Sequence, residues 1–391
     1  MSVTTLNGVA LAGREGQWDV TLEGARITAL APSEAQRGGL LLPCFADAHV
    51  HLDKTFTVAR VPSRPKSLHD AIELMAGDKP NWTASDLRQR AARGLRRAFA
   101  NGTKAMRSHV DWTEAEMPEA LPVLRALAEE WRGSVDLQLA TLTPLDAFAD
   151  LGARIAQEIG GTGAVLGAFV YRNEDIPGKL RAVFDLAEKH DLQLDFHVDE
   201  GLDPEAQGLD AILYETEARG MAGRVLVGHC CALSVRPEGE VADLLGRAGQ
   251  AEMALCTLPT TNAFLQDATP GRTPRLRGLA PVHEARTAGM PVMLASDNVC
   301  DPFYPQGDYD LFDVYRMAVL AGHLDPAGWL SSVTETPAQW LGHDVQIKAG
   351  APADFIHIAA SSLDDALNRP RAVRTVWRDG APIPETSGDP A

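Results

Sequence analysis

Two hydrophobic rhythms alternate through the middle of the chain. Short runs rich in Val, Leu, Ala and Phe, without clean alternation, occupy residues 43–51, 104–111, 134–142, 164–171, 192–200, 224–230, 251–258 and 290–297. Such runs predict parallel strands covered on both faces. Between them the apolar positions fall on helical stripes, as over 84–99, over 177–189 (Leu180, Val183, Phe184, Ala187) and over 281–288. Most successive runs start about thirty residues apart, the length of one strand–helix unit. Eight such units predict an α/β fold of the (β/α)8 TIM-barrel type over 43–345. A doubly wound open sheet would show fewer strands and a glycine-rich turn after the first, and none follows Asp53.

The two ends read differently. Residues 18–22 and 26–30, joined by a Gly24 turn, and residues 351–359 and 373–378, followed by Asp379-Gly380, have the pattern of short β-segments. Neither end can bury a sheet face alone, so 1–42 and 346–391 are expected to pair as a small β-sandwich unit beside the barrel. Residues 52–103 form a long connection after the first run and include the Pro-rich stretch 60–65 and Lys79-Pro80-Asn81. On a barrel such a connection serves as a lid or an interface.

Composition narrows the function. Lys and Arg number 36 against 53 Asp and Glu, a formal charge of −17. So acidic a surface repels phosphate backbones and anionic lipid, which excludes nucleic acid and membrane as expected partners. No apolar run reaches membrane-spanning length, and the N-terminus has no basic, signal-like segment. The five cysteines (Cys44, Cys230, Cys231, Cys256, Cys300) show no CxxC spacing and suit a reducing compartment. The expectation is a cytoplasmic protein.

The chemistry sits where the runs end. The first closes with His49-Val50-His51-Leu52-Asp53, and on a strand residues i and i+2 share a side, so both imidazoles face the barrel mouth. The fifth closes with His197-Val198-Asp199-Glu200, the sixth with His229 and the eighth with Asp297-Asn298. Buried strands seldom carry such groups without a partner, and barrel enzymes place their sites at this end. His49, His51, His197 and Asp297 suit one borderline divalent ion, Zn2+ or Fe2+, with an open position for water. Glu200 is placed to shuttle protons between that water and a leaving nitrogen. His229 is placed to stabilise developing negative charge. His109, closing the second run with Asp111, is expected either to line the pocket or to pack behind it. Lys54 could bridge two metals if carboxylated, but it adjoins strand one.

With these residues in view, the chain resembles the amidohydrolase superfamily over essentially its whole length. It is similar there to cytosine deaminase-like and N-isopropylammelide amidohydrolase-like members. The resemblance rests on Pro43 to Asp53, Ser108-His-Val-Asp111, His197-Val-Asp-Glu200, Asp297-Asn-Val-Cys-Asp-Pro-Phe-Tyr-Pro305 and Gly350-Ala-Pro-Ala-Asp354. It implies one metal on the four residues named, Glu200 and His229 as proton shuttle and electrostatic partner, and Asp297 taking the proton of the attacking water. It implies hydrolytic deamination of a small N-heterocycle, hydroxide attacking a ring amidine carbon and ammonia leaving. The alternative is cleavage of a C–N bond in a triazine-like, lactam or cyclic ureide substrate. Where cytosine enzymes carry a glutamine on the substrate edge this chain has Leu145, which neither donates nor accepts. Asn298 replaces their second aspartate, and Phe303 stands where they place a tryptophan. Relatives commonly assemble through barrel helices, so a homo-oligomer is left open.

Overall fold

The computed structural model describes residues 3–36 and 38–384. The last stretch of the expected terminal unit, 385–391, lies outside the described residues. Four strands open the chain: β1 (Val3–Leu11), β2 (Gln17–Glu23), β3 (Arg26–Pro32) and β4 (Leu40–Leu42). Eight follow in the middle: β5 (Phe45–Val50), β6 (Thr103–Asp111), β7 (Asp136–Pro144), β8 (Leu166–Val170), β9 (Leu194–Val198), β10 (Val225–His229), β11 (Ala254–Thr257) and β12 (Val292–Leu294). Three close it: β13 (Phe355–Ile358), β14 (Arg374–Arg378) and β15 (Ala381–Pro382).

Strands β5 to β12 pair in parallel, in sequence order, as one eight-stranded sheet. Its two edges meet where Val50 bridges Asp297 and the Asp297 N–H donates to the His49 carbonyl at 2.9 Å. The eight apolar runs are thus the eight strands of a barrel. The helical stripes form the outer layer. Helix Ala84–Ala100 is capped by Thr83, whose hydroxyl accepts from the Asp86 N–H at 3.3 Å, and buries Leu87, Ala91, Leu95 and Ala98 on one face. Helix Ile176–His190 buries the expected stripe, Leu180, Val183, Phe184 and Ala187.

The termini pair into one separate mixed sheet of seven strands, in the order β15-β14-β13-β4-β1-β2-β3. Its far edge returns to the chain that precedes β13: Ile27 N–H donates to Ala351 O and Ala353 N–H to Ala25 O. The sheet so curled encloses its own core of Val9, Leu11, Val20, Leu22, Ile27, Leu41 and Phe355. Among the described residues no helix is long and apolar enough to cross a membrane. The cysteines are free thiols, all buried except the partly exposed Cys300.

Candidate metal centre and active site

Barrel closure gathers the site. His49 and His51 lie on and just after β5, His197 on β9, and Asp297 at the junction of β12 with β5. All four are buried. Nε2 of His197 is 3.0 Å from Nε2 of His49 and 3.2 Å from Nε2 of His51. Oδ1 of Asp297 is 3.5 Å from His49 Nε2 and 3.2 Å from His51 Nε2. Four donors each about 2.0–2.1 Å from a tetrahedral ion would stand about 3.4 Å apart. Both carboxylate oxygens of Asp297 are buried without a hydrogen-bond donor, and an uncompensated buried carboxylate calls for a cation. Burial, then the Lys54 charge, pushes His51 down to about 3, so its imidazole is neutral and ready to ligate. The donor set therefore fits a divalent metal ion.

Two more histidines crowd the cluster. His229, at the end of β10, brings a ring nitrogen within ligating range of His49 and Asp297. Its Nε2 is buried without a partner. His109 does the same with His49, His51 and His197, its ring centroid 4.2 Å from that of His49. His109 does not line the cavity described below. Fully buried, it packs behind the donors with Nε2 3.3 Å from Oδ1 of Asp195, whose other oxygen accepts from Arg107 at 2.8 Å.

The strand ends are bent to aim these groups. Asp199, His229, Cys230 and Asp297 all adopt left-handed backbone, with φ of 49°, 67°, 50° and 58°. Non-glycine residues in that region cost about 1–3 kcal/mol each and persist where surroundings over-determine them. Asp199 shows how. Its carboxylate accepts from the N–H groups of Gly208 (3.1 Å) and Leu209 (2.9 Å), pinning the chain around Glu200. Glu200 is itself buried, with Oε1 3.6 Å from Nδ1 of His229. Burial and the Asp297 charge push it up to about 8, Lys54 working the other way.

Above this floor lies a cavity of about 310 Å³, lined by His51, His197, Glu200, His229, Asp297 and Asn298 below. Leu142, Pro144, Phe169 and Phe303 make its apolar walls. The long connection after β5 roofs it: helix Leu68–Asp78 is capped by Ser67 and turns Leu68, Ile72, Met75 and Ala76 inward, on one helical face. The buried Asp78 holds this segment in place, accepting from Arg60, from Asn81 (3.0 Å) and from the Trp82 indole (2.9 Å).

Of the expected substrate contacts, Asn298 and Phe303 line the cavity and Leu145 does not. Leu145 is fully buried in the core at the turn after β7, because strand alternation sends Leu142 and Pro144 to the cavity and the next residue away from it. Asn298 donates an amide hydrogen to Asp301 at 2.7 Å, which leaves its carbonyl oxygen for a ligand's N–H. Asp301 also accepts from the N–H groups of Phe303 (2.8 Å) and Tyr304 (3.1 Å), fixing the aromatic loop. Sequence reasoning considered Lys54 only as a metal bridge. It lines the cavity instead, bonded to Asp111 at 2.7 Å and 5.5 Å from the centre of the Phe303 ring. The HLDK spacing after β5 was the available signal.

A family model described as the amidohydrolase family matches residues 83–384. The chain is 36% identical over 382 residues, covering 95% of this chain and 86% of the relative, to a pterin deaminase of Rhizobium rhizogenes. It is 24% identical over 370 residues, 88% of each chain, to an N-isopropylammelide isopropyl amidohydrolase of Pseudomonas sp.. The fold superposes on that of 5-methylcytosine deaminase from Klebsiella pneumoniae with a TM-score of 0.88, at 24% identity and covering 99% of both chains.

Proposed function

This chain belongs to the amidohydrolase family, hydrolases of non-peptide C–N bonds, and we propose that it removes the exocyclic amino group of a flat N-heterocycle, a pterin ahead of a pyrimidine. The observation that carries the reading is that Glu200, His229 and three of the four proposed metal donors (His51, His197, Asp297) line one cavity, with His49 clustered against them, and that Leu68, Ile72, Met75, Leu142, Pro144, Phe169 and Phe303 give that cavity a largely apolar wall and roof. The 36% identity to a pterin deaminase supports the bicyclic ring. So does a β7 wall of Leu142 and Pro144, which offers no amide to a pyrimidine edge.

In this reading His49, His51, His197 and Asp297 hold one divalent ion, zinc or iron. When bound, such an ion supplies a water acidic enough to react near neutral pH. Phe303 and Phe169 stack on the ring faces. Asn298 Oδ1 accepts from a ring or amino N–H. Glu200 carries one proton of the attacking water to the ring nitrogen beside the reacting carbon, and Asp297 passes the other to the departing amino group, so that ammonia and the oxo product form. His229 faces the charge that builds during addition. The roof of Leu68, Ile72 and Met75 excludes bulk water while this happens.

The test is release of ammonia from pterin and cytosine, and of isopropylamine from N-isopropylammelide, by zinc- and iron-loaded protein. Pterin is expected to give the largest kcat/KM. Glu200→Gln is expected to lower kcat by about 10²–10⁴-fold with the metal content unchanged. No ammonia from pterin or cytosine at full metal occupancy would overturn the reading.

A further inference from the structure

Strand β11 ends without a histidine or a carboxylate, unlike β9 and β10 beside it. Its contribution comes one step later, from helix Pro259–Leu265 and the residue that follows. Asn262 is fully buried there, with its amide Nδ2 3.1 Å from Nδ1 of His229. One turn on, the Gln266 side chain donates to the backbone carbonyl of Glu200. Residues four apart share a helical face, so two neighbouring amides touch the two groups assigned to proton and charge handling. Gln266 has no freedom to leave, because Gly278, at φ +59°, packs its bare Cα against the Gln266 side chain, and a Cβ there would stand 2.3 Å from Gln266 Cγ.

A neutral imidazole has one N–H and one lone pair, and the bond at one nitrogen decides which the other presents. If Nδ1 accepts from the Asn262 amide, the hydrogen resides on Nε2. That atom is buried without a protein partner, on a residue lining the cavity.

We propose that Asn262 is a positioning residue that sets the tautomer of His229, so that Nε2–H rather than a bare lone pair meets the reacting ring, while Gln266 on the same helical face fixes the Glu200 peptide. His229 is then a hydrogen-bond donor to developing charge, and proton transfer falls to Glu200 and Asp297. The kinetic half of this inference rests on the deaminase reading; the tautomer does not.

The test uses the zinc-loaded full chain labelled with 15N-histidine, read by long-range 1H–15N correlation, with the His229 signal identified by its loss in His229→Gln. The parent is expected to show the Nε2–H tautomer. Asn262→Asp, whose carboxylate only accepts, is expected to move the hydrogen to Nδ1. It should also lower kcat by on the order of 10²-fold, with KM held within about threefold. An Nδ1–H tautomer in the parent, as an amide turned the other way would give, overturns the inference, and so does an unchanged tautomer in Asn262→Asp. If that variant does not fold, the parent spectrum decides alone. A correct tautomer with no ammonia from any substrate would remove the deaminase reading and leave the tautomer assignment standing.

Discussion

The N–H of Asp297 donates to the carbonyl of His49 at 2.9 Å, so one backbone bond both joins the last barrel strand to the first and ties together two of the four proposed metal donors. The site is assembled by closure of the barrel. Just before this bond, Ser296 braces the seam by donating its N–H (3.1 Å) and its hydroxyl to the fully buried Asp47.

Ser296→Ala removes the hydroxyl and leaves an Asp47 oxygen without its donor. The expected cost is about 1–3 kcal/mol of stability, and zinc affinity should fall about 10–100-fold, as when a group supporting a ligand is lost. Competition against a fluorescent chelator measures the second effect. An affinity equal to the parent's would show that the seam does not support the metal donors.

Arg107 and Asp195 form a fully buried pair, 2.8 Å apart, under the histidine cluster. Asp195→Ala strands the guanidinium with Gln138, 2.8 Å from Nε, as its nearest remaining partner. Urea denaturation is expected to show a loss of about 3–5 kcal/mol, part of it recovered in Arg107→Met/Asp195→Leu, where no charge is left unpaired. A double variant less stable than the single one would contradict this.

Asp78 is the anchor of the roof. Replacing it with Ala frees Asn81 and Trp82 and leaves Arg60 held by Asp86 alone. Amide exchange is expected to quicken across residues 58–82 while the barrel strands keep their protection, and KM should rise more than kcat falls. Uniform exchange across the molecule would mean that the roof is not a separate unit.

Asp111 provides a pH signature. Burial raises its carboxyl, but the Lys54 charge, then Lys79 and the Lys54 hydrogen bond, overcome this and hold it well below the usual carboxylate range. A carboxyl depressed on folding stabilises at pH values above its unfolded pKa, near 4, and that contribution fades as pH falls toward the folded value. The gap in unfolding free energy between parent and Asp111→Asn is therefore expected to be present at about pH 6 and to shrink steadily toward about pH 3. A gap that is constant across this range would refute the pairing.

Much of the fold was legible because the barrel repeats one signal. Eight apolar runs gave eight strands, and polar residues at their ends marked the mouth. Those residues stood out because an unpaired histidine or aspartate is costly on a buried strand. The misreading at Leu145 has a plain cause: a turn begins one residue after Pro144, and sequence alone does not fix where alternation stops. Asn262 and Gln266 carried no signal at all, since neutral amides in a short helix look like any polar positions until the fold sets them against His229 and Glu200. The roof helix was hidden for a related reason. Its inward face covers a cavity rather than a core, so its apolar spacing had no strand to refer to.

The short strand β4 lies between β1 and β13 and pairs Leu42 with Ile356. Everything from β5 to β12 is inserted between these two partners. During synthesis the first four strands must therefore wait, with β4 presenting a bare edge, until the rest of the polypeptide has emerged. Contacts that span so much sequence form late, and a waiting strand edge invites the wrong neighbour. Recombinant yield should thus depend on what shields β4 during translation, and a polypeptide ending before β13 is expected to accumulate in inclusion bodies even though all eight barrel strands are present.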